Sequence, residues 1–554
     1  MSRAIRWRGR PDFWSGAMAL SVALLAVLLI WPLVEVLRIG LVDPDTGEIT
    51  LEFYRKLLTH RYYVGALLNS MWVGLGGMLG ACLLGIPLAY FTTRYTIRGR
   101  DLISTCAVLA LVSPPFIGAY SWIVVAGNNG WLTNLLKGLG LQVPTIYGMH
   151  GIILVFSLKF FPFVYLMTAS ALKNVNRSLE EAAHNLGCTP WQRLRRVTLP
   201  LLMPAVSAAA ILCFVLSLAD FGTPSIIGRD IRTLSTLAYN QYTSEMGGTP
   251  SMAVSISMLM IVISMVAVFL QRWSIRNRQY AGSLIQRPVV HEPRGLQGLL
   301  MHVFCWGVVA LAMLPIAVVV YTSLLKTNGP VFLDEFGLTS YRRVLAEVPD
   351  VIANTLWFAG LATLCITAVG ALMSYLIVRR ETRLSAWLDA VLMVPYVVPG
   401  VVMAIGFLLV FNRPPIDLVG TATVIVLIMF IRRLPYGVRA STAVLRQIKP
   451  SIEEAAVNLG ASPRKAFLSV TVPLMLPGIV AGAMMSFITS INELSSTLLL
   501  YTASTTTMPV KVFVAVLDGE FGVAAALSTL LLLCTGACVY AVLRLGQSKE
   551  SAFL

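Results

Sequence analysis

Few side chains in this sequence have the types and spacings that covalent chemistry needs. The five histidines, His60, His150, His184, His291 and His302, are scattered, with no HExxH pair and no nucleophile elbow. Of the eight cysteines, Cys82, Cys106, Cys213, Cys305, Cys365, Cys534 and Cys538 lie in apolar runs and Cys188 in a polar one. No CxxC pair occurs, so they read as small core residues rather than disulfide partners or zinc ligands. A phosphate-cradling GxxxxGK[ST] loop is also missing from the sequence. What stands out is charge in apolar surroundings. Lys159 and Arg432, 273 positions apart and each shortly before a proline (Pro162, Pro435), lie inside apolar runs, where a charge costs about 2.5–3.5 kcal/mol. Asp220 and Glu493 repeat the same separation at the ends of such runs. The chemistry open to these groups is non-covalent handling of a charged solute. Lys159 and Arg432 either face a central cavity, which suits an anion, or they snorkel, or pair with inside carboxylates, as gating or packing residues.

The elements that must position these groups are membrane helices. With 57% apolar and 12% charged residues and a mean hydropathy of +0.78, against about 25% charged in soluble chains, an all-α polytopic membrane protein is expected. Runs of roughly 20 apolar residues suggest about twelve spans: 15–39, 66–93, 102–126, 148–172, 199–220, 251–271, 299–323, 352–378, 386–411, 418–438, 472–493 and 521–543. The first is too long for a cleavable signal and lacks a small-residue cleavage site, so it is expected to remain. These spans divide as a first half (1–271), a linker (272–298) rich in Arg and Pro, and a second half (299–554).

Net charge is +16, yet its distribution argues against nucleic acid. With the amino terminus taken as inside, 27 of the 42 Lys and Arg fall in inside segments and 11 in outside loops. This is the positive-inside bias, with both termini cytoplasmic.

The halves also repeat in sequence. Ser178–Pro204 matches Ser451–Pro477 at 14 of 27 positions without a gap, and Asn69, Ser70, Tyr90, Arg94 and Pro114 correspond to Asn354, Thr355, Tyr375, Arg379 and Pro399. The first half carries 12 more residues around Gly127–Tyr147, an outside insertion that either touches a partner or is a tolerated surface loop. Each polar repeat is expected to form two short helices with a hinge. Ser178 and Ser451 act as N-caps, with Glu181 and Glu454 completing capping boxes. Glu180 and Glu453 lie on the positive end of the dipole, and Gly187 and Gly460 end the first helix. Thr189-Pro190 and Ser462-Pro463 start the second, and Pro200 and Pro473 mark the start of the next span.

On these residues the chain resembles the permease subunits of binding-protein-dependent ABC importers: Glu181-Ala182-Ala183, Gly187 and Val197-Thr198-Leu199-Pro200, then Glu454-Ala455-Ala456, Gly460 and Val470-Thr471-Val472-Pro473. Val stands for Ile in both endings, and Val472 also for Leu. The resemblance implies a coupling helix in each loop that docks on a cytoplasmic ATPase, hence two ATPase copies that use ATP and Mg²⁺, while this chain binds no cofactor and is no enzyme. It also implies a bacterial inner-membrane location and a periplasmic binding protein as a further partner. The fusion, the Pro114-Pro115-Phe116 and Ala219–Pro224 tracts and Ile491–Leu494 are more closely similar to fused ferric-iron permeases. Phosphonate, sugar phosphate or another small anion is the alternative cargo, and an ion-coupled secondary carrier a distant one. For a ferric cargo, Asp220 and Glu493 with Tyr120, Tyr239 or Tyr242 would offer transient oxygen contacts, with no stable metal site. Otherwise the two carboxylates cap a neighbouring segment or contact the docked binding protein.

Overall fold

The computed structural model describes residues 13–43, 46–141, 145–175, 177–244, 248–276, 291–414 and 416–546. Basic Met1–Arg10, Pro144 of the insertion and 277–290 of the linker lie outside them. Among the described residues, nine helices are long and apolar enough to cross a membrane, or up to eleven if two bent pairs each count as one span. The expected twelve continuous spans are corrected at the third and ninth positions, and the tenth is more charged than the rest.

The third and ninth break at proline. Arg100–Val112 stops before Pro115–Ala126, and Arg383–Val397 meets Gly400–Phe411 at 109°. The residue before a proline is pushed out of the α region, and Ser113 (ψ 140°) and Val398 (ψ 122°) are extended accordingly. The tenth is a helix at Ala422–Leu445, but Arg432, Arg433 and Arg439 along it take it out of the apolar set.

The remaining spans follow the expected order. Arg61–Arg94, Met149–Lys173 and Trp191–Ala219, the second, fourth and fifth, pack together in the first half. Their counterparts Pro349–Arg379, Ala422–Leu445 and Pro463–Ile491, the eighth, tenth and eleventh, do so in the second. Small residues permit these close approaches, as in lipid they must: a Cβ at Gly80 would lie 1.9 Å from Ser157 Oγ, and one at Gly482 2.9 Å from Gly437 Cα. The first span of each half crosses to the other. Phe13–Leu41 packs on the eighth and ninth spans, and Gly295–Ser323, the seventh, on the second and third. Trp14, 2% exposed, stacks on Tyr375 at 4.3 Å and meets Phe467 edge-on at 5.4 Å, while Trp306 Nε1 donates to Arg98 O.

The sixth span runs on to Arg276 and the seventh begins at Gly295, which shortens the expected linker at both ends. The 12-residue difference between halves is the helix Trp131–Gly138, against a hairpin of Asn412–Arg413 with Ile416–Asp417 in the second half. Trp131 packs on Tyr321 of the seventh span.

Candidate functional site

Both polar repeats fold alike: Arg177–Asn185 then Pro190–Arg193, and Pro450–Asn458 then Pro463–Ala466. The expected capping box at Ser451 does not form, because that serine already sits inside the first helical turn; in the first loop the helix is described from Arg177. In the second loop Pro450, with its preset φ, takes the first helical position behind Lys449 and moves the start two residues earlier. The expected hinge is there. Gly187 (φ +79°) and Gly460 (φ +93°) are left-handed, and the next amide reaches back five residues in each loop, Cys188 N to Ala183 O and Ala461 N to Ala456 O. This is the Schellman closure. The second helices are capped as expected, by Thr189 Oγ1 accepting from Gln192 N and Ser462 Oγ accepting from Lys465 N.

Pro200 and Pro473 stand as expected at the start of the helices Leu199–Ala219 and Val472–Ile491, though the helical run extends back to Trp191 and Pro463. Each lies within a helix that runs from the loop into the membrane, just behind a π-helical turn, Leu194–Thr198 or Phe467–Thr471. A proline ring clashes with the carbonyl four residues earlier, and the wider turn gives it room.

The inner faces of the loops are fastened down. Arg94 Nη2, at the end of the second span, donates to Glu180 Oε1 at 2.8 Å, and Thr198 Oγ1 donates to the same oxygen. In the second loop Tyr375 OH donates to Glu453 Oε1 and Thr471 Oγ1 to Oε2, with Arg379 Nε 3.8 Å away. Glu180 and Glu453 thus do more than favour a helix dipole. The outer faces stay open: Glu181, Ala182, Glu454 and Ala455 are exposed, as are Leu186 (84%) and Leu459 (89%). Ala183 is buried and Ala456 half-buried. Sequence reasoning passed over both leucines, though Asn-Leu-Gly is shared by the two copies.

Of the charged pathway candidates, Arg432 and Glu493 come together. Arg432 Nη1 lies 2.5 Å from Glu493 Oε1, and the neighbouring Arg433 Nη2 bonds Oε2. Lys159, at the equivalent position, turns instead to the break in the third span, where its Nζ donates to the carbonyls of Ala110, Leu111 and Ser113. A cation at a helix C-terminus answers both its unbonded carbonyls and its dipole. Asp220 and Glu493 cap the segments that follow, accepting from Thr223 N (2.8 Å) and Ser496 N (3.1 Å). Tyr120, fully buried, donates to Phe521 O. Tyr239 packs on Phe221 at 4.7 Å, and Tyr242 is half-buried. Among the described residues there is no group of three or more His, Cys, Asp or Glu that could hold a metal.

Lys159→Met is therefore expected to destabilise the chain by about 1–3 kcal/mol through unanswered carbonyls, read as a lower unfolding midpoint in detergent. An unchanged midpoint with reduced transport would return Lys159 to the cavity role.

The fold and its two repeated loops define a duplicated helical membrane protein. The chain belongs to the family of binding-protein-dependent transport system inner membrane components, whose pattern matches residues 81–279 and 366–546. It is a permease of an ABC importer, not an enzyme. It is 27% identical over 531 residues to the ferric transport system permease protein FbpB of Actinobacillus pleuropneumoniae, covering 94% of this chain and 76% of that one. The Fe(3+)-transport system permease protein FbpB 2 of Haemophilus influenzae is 26% identical, covering 96% and 98%. The putative 2-aminoethylphosphonate transport system permease protein PhnU of Salmonella typhimurium is 30% identical over 261 residues, which is 46% of this chain and 89% of that protein.

Proposed function

We propose that the chain carries ferric iron from a periplasmic binding protein across the inner membrane, driven by two copies of a cytoplasmic ATPase, one on each repeated loop. ATP and Mg²⁺ belong to those subunits, and both termini face the cytoplasm, as the excess of Lys and Arg on that side supports. The observation that carries the reading is the pair of loops with the same fold, the same left-handed glycine and the same bare leucine. The relatives named for ferric transport span both halves, and this favours iron over the phosphonate reading, whose relative spans one. The local charge agrees, since Glu493 offsets Arg432 and helix-end carbonyls occupy Lys159, leaving less free positive charge for an anion than the sequence suggested.

The test is ATP-dependent uptake of labelled ferric iron, and separately of 2-aminoethylphosphonate, in cells with and without this chain. Iron uptake lost on deletion and restored by the gene is the expected result. Iron uptake unaffected, with phosphonate uptake lost, would leave the importer in place and change its cargo.

A further inference from the structure

The second span of each half is pinned at both ends, and the pins repeat. At the end away from the coupling loop, Asn69 Nδ2 donates to Arg232 O, and Ser70 Oγ accepts from Leu234 N at 2.7 Å. The eighth span does the same: Asn354 Nδ2 donates to Ser504 O and Thr506 O, and Thr355 Oγ1 accepts from Met508 N at 2.7 Å. In both halves the partner is the loop that leaves the fifth or eleventh span. At the other end stand the ties to Glu180 and Glu453. Ser70 to Arg94 and Thr355 to Arg379 are the same 24 residues of helix, about 36 Å at 1.5 Å per residue.

We propose that the second and eighth spans are struts that link the outer loops 220–244 and 492–520 to the ATPase-docking loops, with Asn69, Ser70, Asn354 and Thr355 as outer positioning residues and Glu180 and Glu453 as inner ones. Both helices run unbroken between their pins, the second span lacking only the bond that Pro87 cannot donate, and a continuous helix transmits displacement from one end to the other. A side-chain bond to a backbone amide or carbonyl at each end converts that displacement into movement of the attached loop. Coupling of this kind is a free energy shared by the two ends, so weakening either pin should loosen the link without dissolving either loop. The proposal rests on the two-ATPase reading above.

The experiment uses the complete complex of chain, ATPase and binding protein in proteoliposomes. Copurification of ATPase with the intact chain tests the two-ATPase reading by itself. Asn69→Ala, Ser70→Ala, Asn354→Ala and Thr355→Val are combined in one variant, beside a control with Ser70→Thr and Thr355→Ser that keeps both hydroxyls. Basal ATP hydrolysis should stay within about twofold, while stimulation by ferric-loaded binding protein falls roughly tenfold, within the usual range of coupling between sites. The control should retain stimulation. A second measurement needs neither cargo nor binding protein. Vanadate trapping of the ATPase should change hydrogen exchange at the Leu234 and Met508 amides in the intact chain, and not in a Glu180→Gln, Glu453→Gln variant. Undiminished stimulation, a basal rate that falls in step with it, or an exchange response that survives the glutamate substitutions would overturn the proposal.

Discussion

Glu493→Gln should lower the stability of the chain by about 3–5 kcal/mol, the usual cost of removing one partner from a buried ion pair. Glu493 is 3% exposed and answers two guanidiniums, those of Arg432 and Arg433. Glutamine keeps the acceptor for Ser496 N but removes the negative charge and leaves two cations side by side. The measurement is the unfolding midpoint in detergent. Two comparisons give it meaning. Asp220→Asn, at the equivalent position, keeps an oxygen for Thr223 N and should change stability by only a few tenths of a kcal/mol, since Asn and Asp cap comparably. Replacing Glu493, Arg432 and Arg433 together by Met should recover most of the loss, because apolar groups of similar size often substitute for a buried ion cluster at little cost. If the triple variant were no more stable than Glu493→Gln, the destabilisation would have a source other than stranded charge.

The second large effect is one of association. Gly187→Asp with Gly460→Asp should leave the fold nearly intact and abolish docking. A Cβ at either glycine meets nothing within 4 Å among the described residues, so the internal cost is the left-handed backbone, about 1–2 kcal/mol per site for most residues and less for Asp. Outside, the new carboxylate stands beside Leu186 or Leu459 at the centre of the bare surface. Loss of a central contact commonly costs 2 kcal/mol or more, and two such losses would reduce ATPase association by roughly 100-fold or beyond. Copurification of the ATPase and uptake should fall together while the unfolding midpoint moves little. A midpoint that collapses would make the glycines structural, and normal copurification would move the docking surface elsewhere.

The duplicated loops were legible in the sequence because their signals are local: a proline after a capping hydroxyl, a glycine where the backbone must turn left-handed. The start of the second loop's first helix was less legible, since Ser451 followed three residues on by Glu454 looks like a capping box even though the helix is capped two residues earlier, at Lys449. Pro114 and Pro399 were matched between halves, yet hydropathy ran smoothly across them and hid the break. Partners distant in the chain were beyond reach. Nothing local tells Lys159 to reach carbonyls more than forty residues away, or Arg432 to meet Glu493. The coincidence of spacing announced the positions; only packing decided that one cation would close a helix end and the other an ion pair.

That difference between the halves bears on why they share one polypeptide. In a permease assembled from two identical subunits, every substitution appears twice, on both sides of the symmetry axis. An Arg432–Arg433–Glu493 cluster would then exist in duplicate or not at all, and a lysine serving a helix break would have a twin doing the same. Joining the copies frees each side to change alone, so one half can keep a charged centre while its counterpart substitutes Phe160 for the second arginine. Covalent fusion here is a licence for asymmetry between the two halves.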